Sequence, residues 1–425
     1  MHKLFRLSAI LAVVLLILAA CSSNNGGGST TPSSSTGGSV ASMGEDPTAA
    51  CADDPFGCVQ YGPSDPINLG TALVISGANS SLGLDSQYGV KVAVALRGQV
   101  AGHDVKETDT DEGCSADGGT AAANQLKADP SIVAVVGTSC SSAGVPAAEI
   151  LSQSGILLVS PSNTAPSLTD PSTHQPFYAR TAHNDKVQGK AMAQFACDVL
   201  KVKTAATIHD GSPYAQQLQQ VFADQFKSLC NGTITDQQAI TVGQTDFNSV
   251  LTNIGTKKPD LLYYPIFVAE GALITQQAKQ TAGLSDTILA GADGIQTPDF
   301  LSAAGSAAEG MYMSGPDLNF SGDFYESTFI PKYKEVSGES APISVFHAHA
   351  YDAANIIFDA IEKVAMTDAD GNLYIPRTAL KDAVLATSGY KGITGTLTCD
   401  ANGDCADPKI SVVQVKSGKF ERVWP

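Results

Sequence analysis

The stretch Val133–Thr169, VAVVGTSCSSAGVPAAEILSQSGILLVSPSNTAPSLT, decides the fold because it contains two short apolar runs separated by a helical segment. The β-branched runs Ile132–Val136 and Ile156–Val159 are typical of buried parallel strands. Val145–Leu151 has helical composition, with Pro146 expected in the first turn. Two strands joined by one helix run parallel, and the crossover is right-handed in almost all proteins. The stretch therefore predicts a doubly wound α/β sheet.

Two polar loops, Thr138–Ser142 and Ser160–Thr164, follow these two strands and must leave the same edge of the sheet. Ligands of open α/β sheets bind at that carboxyl edge. The first loop also leads into a helix N-terminus, where free N–H groups favour an anion. The loops offer hydroxyl groups, an amide and backbone N–H groups, but no general base and no metal ligand. This composition predicts binding of a small polar molecule without chemistry.

The rest of the chain repeats the alternation of strand and helix from Asn68 to Leu289. This alternation predicts parallel sheets with helices on both faces. Ser314–Pro316 interrupts it, and helices followed by short strands come after. A chain of 425 residues suits two lobes, each with its own core. Residues 44–64 have the composition of an irregular lead-in.

The N-terminus has the three parts of a secretory signal peptide, expected to span residues 1–20. Met1–Arg6 is basic, Leu7–Ile17 is apolar, and Leu18–Cys21 resembles a bacterial lipobox. That resemblance implies cleavage before Cys21, lipidation of Cys21, and anchoring to the bacterial cell membrane. An ordinary signal peptide is the alternative, but Ser22–Met43 is rich in Ser, Gly and Thr and is typical of a flexible tether.

The nine cysteines leave eight after Cys21 is set aside, an even number that suits disulfides in an exported chain. Zinc is the alternative interpretation, but no C-x-x-C motif or Cys/His cluster favours it. The spacing predicts four pairs: Cys51 with Cys58, Cys114 with Cys140, Cys197 with Cys230, and Cys399 with Cys405.

The net charge of −17 disfavours nucleic acid and anionic lipid headgroups as partners. Loss of the first twenty residues, which hold two basic and no acidic residues, makes the charge −19. The composition, 43% hydrophobic and 16% charged, is that of a soluble domain.

The two loops and their strands resemble those of the branched-chain amino-acid binding proteins, which are type I solute receptors of ABC importers. The resemblance extends from about residue 66 to the C-terminus, and the stretch quoted first is its specific part. Weaker matches occur in the same order along the chain: Ser86–Gly89, His209–Ala215, Tyr263–Tyr264, Gly291–Gly294 and Ala307–Met311.

The resemblance implies two Rossmann-like doubly wound lobes joined by three hinge crossings, near Ala182, Pro316 and Pro408. It places residues 65–182 and 316–408 in the first lobe, and residues 183–315 and 409–425 in the second. Residues 21–64 are then the lipidated cysteine with its linker and lead-in.

The resemblance also implies a ligand site between the lobes. Ser141 and the backbone around Thr164 are expected to bind an α-carboxylate. The carbonyl of Ser162, the hydroxyl of Thr164 and the carboxylate of Asp293 are expected to bind an α-ammonium. A desolvated zwitterion needs donors at one end and acceptors at the other, so the chemistry agrees. Without the resemblance, Asp293 before Gly294 is typical of a turn.

Aromatic residues Tyr88, Tyr214 and Phe267 are expected to form walls of this pocket, although aromatic residues near strand ends are more often core. Phe267 stands where the family often has Tyr, and Asn163 stands where a small residue is usual. Asn163 either favours a more polar ligand or caps the following turn, and the sequence leaves both open.

The sequence therefore predicts a lipid-anchored, extracytoplasmic solute-binding protein that takes an amino acid or a close analogue. It is expected to be a monomer without cofactor, metal or enzymatic activity, and an ABC permease is the implied membrane partner. One alternative is a sensory receptor on the same fold. The other is an exported hydrolase using Ser141 or Ser160, although no paired base is evident.

Overall fold

The structure is a computed structural model, and it describes residues 46–425. The predicted signal peptide, the lipidation of Cys21 and the tether Ser22–Met43 lie outside the described residues and stay predictions.

Helices and strands alternate over most of the described chain. The helices are α1 Pro47–Asp53, α2 Ser80–Arg97, α3 Ala116–Lys127, α4 Ser141–Ser152, α5 Asp185–Asp198, α6 Pro213–Cys230, α7 Asn248–Gly255, α8 Val268–Ala278, α9 Pro298–Ala304, α10 Ile330–Ser337, α11 His347–Val364 and α12 Arg377–Leu385. The strands are β1 Cys58–Tyr61, β2 Ile67–Leu73, β3 Gln99–Val100, β4 His103–Asp111, β5 Ile132–Gly137, β6 Leu157–Ser160, β7 Tyr178–Arg180, β8 Thr204–His209, β9 Thr233–Ala239, β10 Leu261–Tyr263, β11 Ile288–Ala292, β12 Tyr312–Pro316, β13 Met366–Thr367, β14 Leu373–Pro376, β15 Tyr390–Lys391, β16 Thr396–Leu397, β17 Ile410–Lys416 and β18 Lys419–Trp424.

The first lobe is built on a sheet with the strand order β3-β4-β2-β5-β6-β7, parallel from β4 to β7. Its central strand β5 is buried along its whole length. Val133 and Val136 pack into the cluster that contains α2 and α11, whereas Ile132 and Val135 pack into the cluster that contains α3 and α4. Side chains of this one strand thus enter two cores, which explains why the run is continuously apolar.

The second lobe is built on a sheet with the strand order β18-β17-β12-β11-β10-β8-β9. Strands β8 to β12 are parallel, while β17 and β18 are antiparallel additions at one edge. Because β8, β10 and β11 run parallel, the residues after their last positions share one edge of this sheet. Asp293 comes directly after β11 at that edge.

The chain passes between the two sheets after β7, after β12 and before β17. Residues from all three crossings, among them Thr181, His183, Pro316 and Pro408, line one small cavity. The predicted fold class, two doubly wound lobes with three crossings, is confirmed. The exact lobe boundaries given above stay predictions.

Two local expectations were wrong. The lead-in is not irregular throughout, because it forms α1 and β1, and β1 pairs antiparallel with β14 more than 300 residues away in the chain. Local composition carries no signal for such a distant pairing. Helix α4 begins at Ser141 rather than at Val145, so Pro146 lies inside the helix and not in its first turn.

All four predicted disulfides are present in the described residues. Cys51–Cys58, Cys114–Cys140, Cys197–Cys230 and Cys399–Cys405 are bonded as the spacing predicted. The second of these joins the end of β4 to the loop before α4. It therefore fixes the first of the two polar loops to the neighbouring strand end.

Candidate ligand-binding site

The two polar loops of the first lobe are held together by Asn163. Its Nδ2 donates to the carbonyl of Thr138 over 2.9 Å, and its Oδ1 accepts from the Thr138 hydroxyl over 3.0 Å. Tyr178 also donates to Oδ1, over 3.4 Å. Asn163 is fully buried and its amide is used within the first lobe. These bonds favour a structural role for Asn163 over the ligand contact that was expected of it, because its polar atoms join the loops.

Ser141 lies beside the second polar loop, next to Thr164, at the edge of the first sheet. The Ser141 hydroxyl oxygen accepts the N–H of Ala165 over 3.3 Å, which brings the start of α4 next to the second loop. The backbone N–H groups of Ser141 and Thr164 donate to no acceptor within residues 46–425. Free N–H groups at a helix N-terminus form a site suited to a carboxylate.

Ser162 turns its side chain inward and leaves its carbonyl free. Its hydroxyl donates to the carbonyl of Ser139 over 2.9 Å. The carbonyl oxygen of Ser162 accepts no hydrogen bond from the part of the chain that is described. A free carbonyl agrees with the acceptor role expected for Ser162.

A buried carboxylate that the sequence analysis missed, Asp185, lies beside Thr164. The N–H of Asp185 donates to the Thr164 carbonyl over 2.9 Å. The Thr164 hydroxyl and both carboxylate oxygens of Asp185 are buried without a hydrogen-bond partner among the described residues. Burial, and then the charge of Asp293, raise the pKa of Asp185 well above its usual range, although the nearby Thr164 hydroxyl lowers it.

Asp185 begins α5, and Asn184 before it caps that helix through a bond to the N–H of Lys186. An Asn-Asp pair at a helix start is typical of capping, so nothing local marks Asp185 as a candidate ligand residue. Nothing in the sequence besides its position at the first crossing distinguishes Asp185 from a capping residue.

Asp293 is the second buried carboxylate and is only 3% exposed. Its Oδ1 accepts from Gln188 Nε2 over 2.6 Å and from the Tyr214 hydroxyl over 3.1 Å. Both bonds end on Oδ1, which leaves Oδ2 open to a ligand. Burial raises the pKa of Asp293, while His183, Gln188 and Tyr214 act to lower it.

Tyr214 and Phe267 stand side by side next to Asp293. Their ring centroids are 5.3 Å apart, and both residues are nearly fully buried. Tyr263, at the end of β10, has a buried hydroxyl without a partner among residues 46–425. These rings and the unpaired hydroxyl form an aromatic wall with one polar position.

Tyr88 is not part of this wall. Its ring packs edge-on against Tyr333, with centroids 5.7 Å apart, in the cluster between α2 and α10. The hydrogen bonds and ring contacts of the described residues do not join Tyr88 to Thr164 or Asp293. These contacts do not support the expectation that Tyr88 lines the pocket, because this face of α2 packs within the first lobe.

The two lobes touch around the group formed by Ser141, Thr164, Asp185 and Asp293. Ser167 of the first lobe donates its N–H to Gln217 Oε1 of the second lobe over 2.9 Å, and Gln217 Nε2 donates to the Ser167 hydroxyl over 2.9 Å. Ser81 of α2 also donates to Asp299 of α9. The cleft is therefore closed, which accounts for the burial of its polar residues.

The charges near the cleft are acidic. Arg180 is fully buried, but its guanidinium is bonded to Asp404, Thr169 and two backbone carbonyls of the first lobe. Burial lowers the pKa of His183, which favours its neutral form. In the described chain no lysine or arginine is hydrogen-bonded to Asp185 or Asp293, although Arg180 is near enough to lower the pKa of Asp185. A ligand with a positively charged nitrogen would supply the missing partner.

No cluster of three or more His, Cys, Asp or Glu residues suited to a metal ion occurs in residues 46–425. None of the helices in that part of the chain is both long enough and apolar enough to cross a membrane.

The sequence of the chain is similar to those of known binding proteins. The family model "Periplasmic binding protein" matches residues 66–419. The Leu/Ile/Val-binding protein homolog 3 of Brucella melitensis is 27% identical over 83% of this chain and 92% of its own length.

The chain is also similar to solved structures of solute-binding proteins. The leucine-binding protein LivK of Thermotoga maritima is 25% identical, with a TM-score of 0.75 over 84% of this chain and 97% of its own. A solute-binding protein of an ABC transporter from R. palustris, solved with benzoate, has a TM-score of 0.70 at 20% identity over 84% of this chain and 96% of its own, and shows the fold alone.

The chain belongs to the periplasmic binding protein family. Within that family it is a type I protein of the branched-chain amino-acid type, as the resemblance implied.

Proposed function

We propose that the protein is the extracytoplasmic solute-binding component of an ABC importer, and that it binds an amino acid or a close analogue between its lobes. The observation that carries this proposal is the pair of buried carboxylates, Asp185 and Asp293, together with the unpaired N–H groups at Ser141 and Thr164 among the described residues. The carboxylates are suited to a cationic group, and the N–H groups are suited to an anionic one. A zwitterion satisfies both requirements at once.

In this proposal the ligand's α-carboxylate lies at the N-terminus of α4, bonded to the backbone of Ser141 and Thr164. Its ammonium lies between Asp293, Asp185 and the carbonyl of Ser162. Tyr214 and Phe267 cover the ligand from the second lobe. The ligand then joins groups that belong to different lobes, so it stabilises the closed state over the open one.

The further steps follow the family. The closed protein is presented to an ABC permease, and lipidated Cys21 holds the protein at the outer face of the membrane. Catalysis is not part of the proposed function. Ser141 accepts from a backbone N–H and Ser160 donates to the carbonyl of Thr138, so neither hydroxyl is hydrogen-bonded to a histidine in the described chain.

A second candidate ligand class is an aromatic carboxylate. Such a ligand fits the aromatic wall of Tyr214 and Phe267 but supplies no positive charge to Asp185 or Asp293. A sensory receptor would use the same site, and only its partner protein would differ. The charge of the cleft favours the amino acid.

A thermal-shift screen of the purified protein tests the proposal. The set should contain the proteinogenic amino acids, their amides and benzoate. A true ligand at one hundred times its dissociation constant stabilises the folded state by about 2.7 kcal/mol. We expect an α-amino acid to raise the melting temperature. Stabilisation by benzoate without any amino-acid effect would reject the amino-acid assignment and favour the second class.

A further inference from the structure

The side chain of Gln188 forms four hydrogen bonds, all to residues outside helix α5. It is fully buried in the second turn of α5. Its Nε2 donates to Asp293 Oδ1 over 2.6 Å, to the carbonyl of Ser314 over 3.1 Å and to the Ser314 hydroxyl over 3.2 Å. Its Oε1 is hydrogen-bonded to Nε2 of His183. Both ends of the amide are therefore in use.

The partners of Gln188 belong to the ligand site and to two of the three crossings. Asp293 is the proposed acceptor of the ligand's ammonium. Ser314 lies in β12, which leads into the second crossing. His183 lies in the first crossing and stacks on Phe346 of the first lobe, with centroids 6.2 Å apart and planes at 21°. One side chain thus connects the ligand carboxylate to the segments that must move when the lobes open.

The direction of these bonds has an electrostatic consequence. Since Oε1 receives the N–H of His183, the NH₂ group of the amide must point toward Asp293. A donor to a buried carboxylate stabilises the ionised form of that carboxylate. Tyr214 is the other side chain that donates to Asp293 Oδ1. Loss of the amide would leave a buried charge with one donor fewer.

We propose that Gln188 is a positioning residue that holds Asp293 ionised and correctly placed for a cationic ligand nitrogen, and that links Asp293 to the first two hinge crossings. The proposal rests on the proposed function in one respect, namely that the ligand carries such a nitrogen. It assigns to Gln188 a role through Asp293 and no contact with the ligand.

The first test needs no ligand. Gln188→Met keeps the volume but removes the donor, so ionised Asp293 becomes more costly in the folded state. Because the pKa of folded Asp293 then rises further, the loss in melting temperature should be larger at about pH 8 than at about pH 4.5. In an Asp293→Asn background the same variant should show no greater loss at about pH 8 than at about pH 4.5.

Gln219→Met is the matched control, because Gln219 is a buried glutamine of α6 that is not hydrogen-bonded to Asp293. Its loss in melting temperature should not depend on pH in this way. The other groups around Asp293 keep their contacts in these variants, except that Gln188→Met also removes the hydrogen-bond partner of His183. The titratable and charged groups are Asp185, His183, Arg180, Tyr214 and Tyr263.

The second test measures the affinity for L-leucine by calorimetry over the same pH range. Gln188→Met should weaken binding about tenfold or more, as expected for a lost hydrogen bond to a charged group. The loss should be largest at low pH, where Asp293 of the variant is protonated. Gln219→Met should bind like the wild type.

The outcomes separate the two proposals. The role of Gln188 is overturned if Gln188→Met lowers the melting temperature equally at both pH values. It is also overturned if the larger loss at about pH 8 persists in the Asp293→Asn background. If the wild type binds no amino acid, the proposed function fails, while the ligand-free measurement still decides whether Gln188 holds Asp293 ionised.

Discussion

The replacement Asp293→Asn should separate ligand binding from folding. Asp293 is a buried carboxylate with two donors on Oδ1, and no lysine or arginine of residues 46–425 is hydrogen-bonded to it. An asparagine oxygen can accept the same bonds from Gln188 and Tyr214, so the fold should persist. A ligand ammonium, however, loses its buried counter-charge. Removing one partner of a buried pair costs about 3–5 kcal/mol.

That cost corresponds to a loss of affinity of about a hundredfold to several thousandfold. The ligand-free protein should behave in the opposite way. Because folded Asp293 has a raised pKa, its contribution to stability is full below the usual carboxyl pKa and is lost as pH rises through the folded value. Asp293→Asn removes this loss, so its melting temperature near pH 8 should equal or exceed that of the wild type.

Calorimetric titration and thermal unfolding measure the two effects on the same samples. Asp352→Asn is the matched control, since Asp352 is a fully buried carboxylate bonded to Thr394 of the first lobe, outside the ligand site. The control should bind the ligand normally. Normal binding by Asp293→Asn would refute the ammonium assignment, and an unfolded Asp293→Asn protein would refute the view that its carboxylate is dispensable for the fold.

Three further predictions concern other residues. Asp185→Asn should weaken amino-acid binding and raise the melting temperature of the free protein, since it removes a buried charge without a partner; calorimetry and thermal unfolding check both. Phe267→Ala should weaken binding by about 1–3 kcal/mol, whereas Tyr88→Ala should leave affinity unchanged in the same titration. Reduction of the four disulfides should lower the melting temperature, because a pair such as Cys197–Cys230 is expected to contribute about 3 kcal/mol to the free energy of unfolding. An unchanged melting temperature under reductant would contradict this contribution.

The sequence could predict the lobes and the first-lobe half of the site because those features are local. Strand, loop and helix follow one another within Val133–Thr169, and parallel pairing of the strands places Ser141 and Thr164 at one edge. The disulfide pairs could be predicted because each closes a short interval of the chain.

The remaining features depend on contacts between distant segments. Asp185 looks like a capping residue until α5 is seen to start in the cleft, beside Thr164. Tyr88 lies in α2 and Asn163 follows β6, and their partners Tyr333 and Thr138 decide which way they face. Gln188 has no local signal at all, because Asp293 and Ser314 lie more than a hundred residues away.

A crystal structure of the protein with the amino acid that binds best would test the central claim most directly. We expect the ligand's nitrogen within hydrogen-bonding distance of Asp293, and its carboxylate at the N–H groups of Ser141 and Thr164. A ligand whose carboxylate faces Asp293, or a ligand bound outside the cleft, would contradict the account.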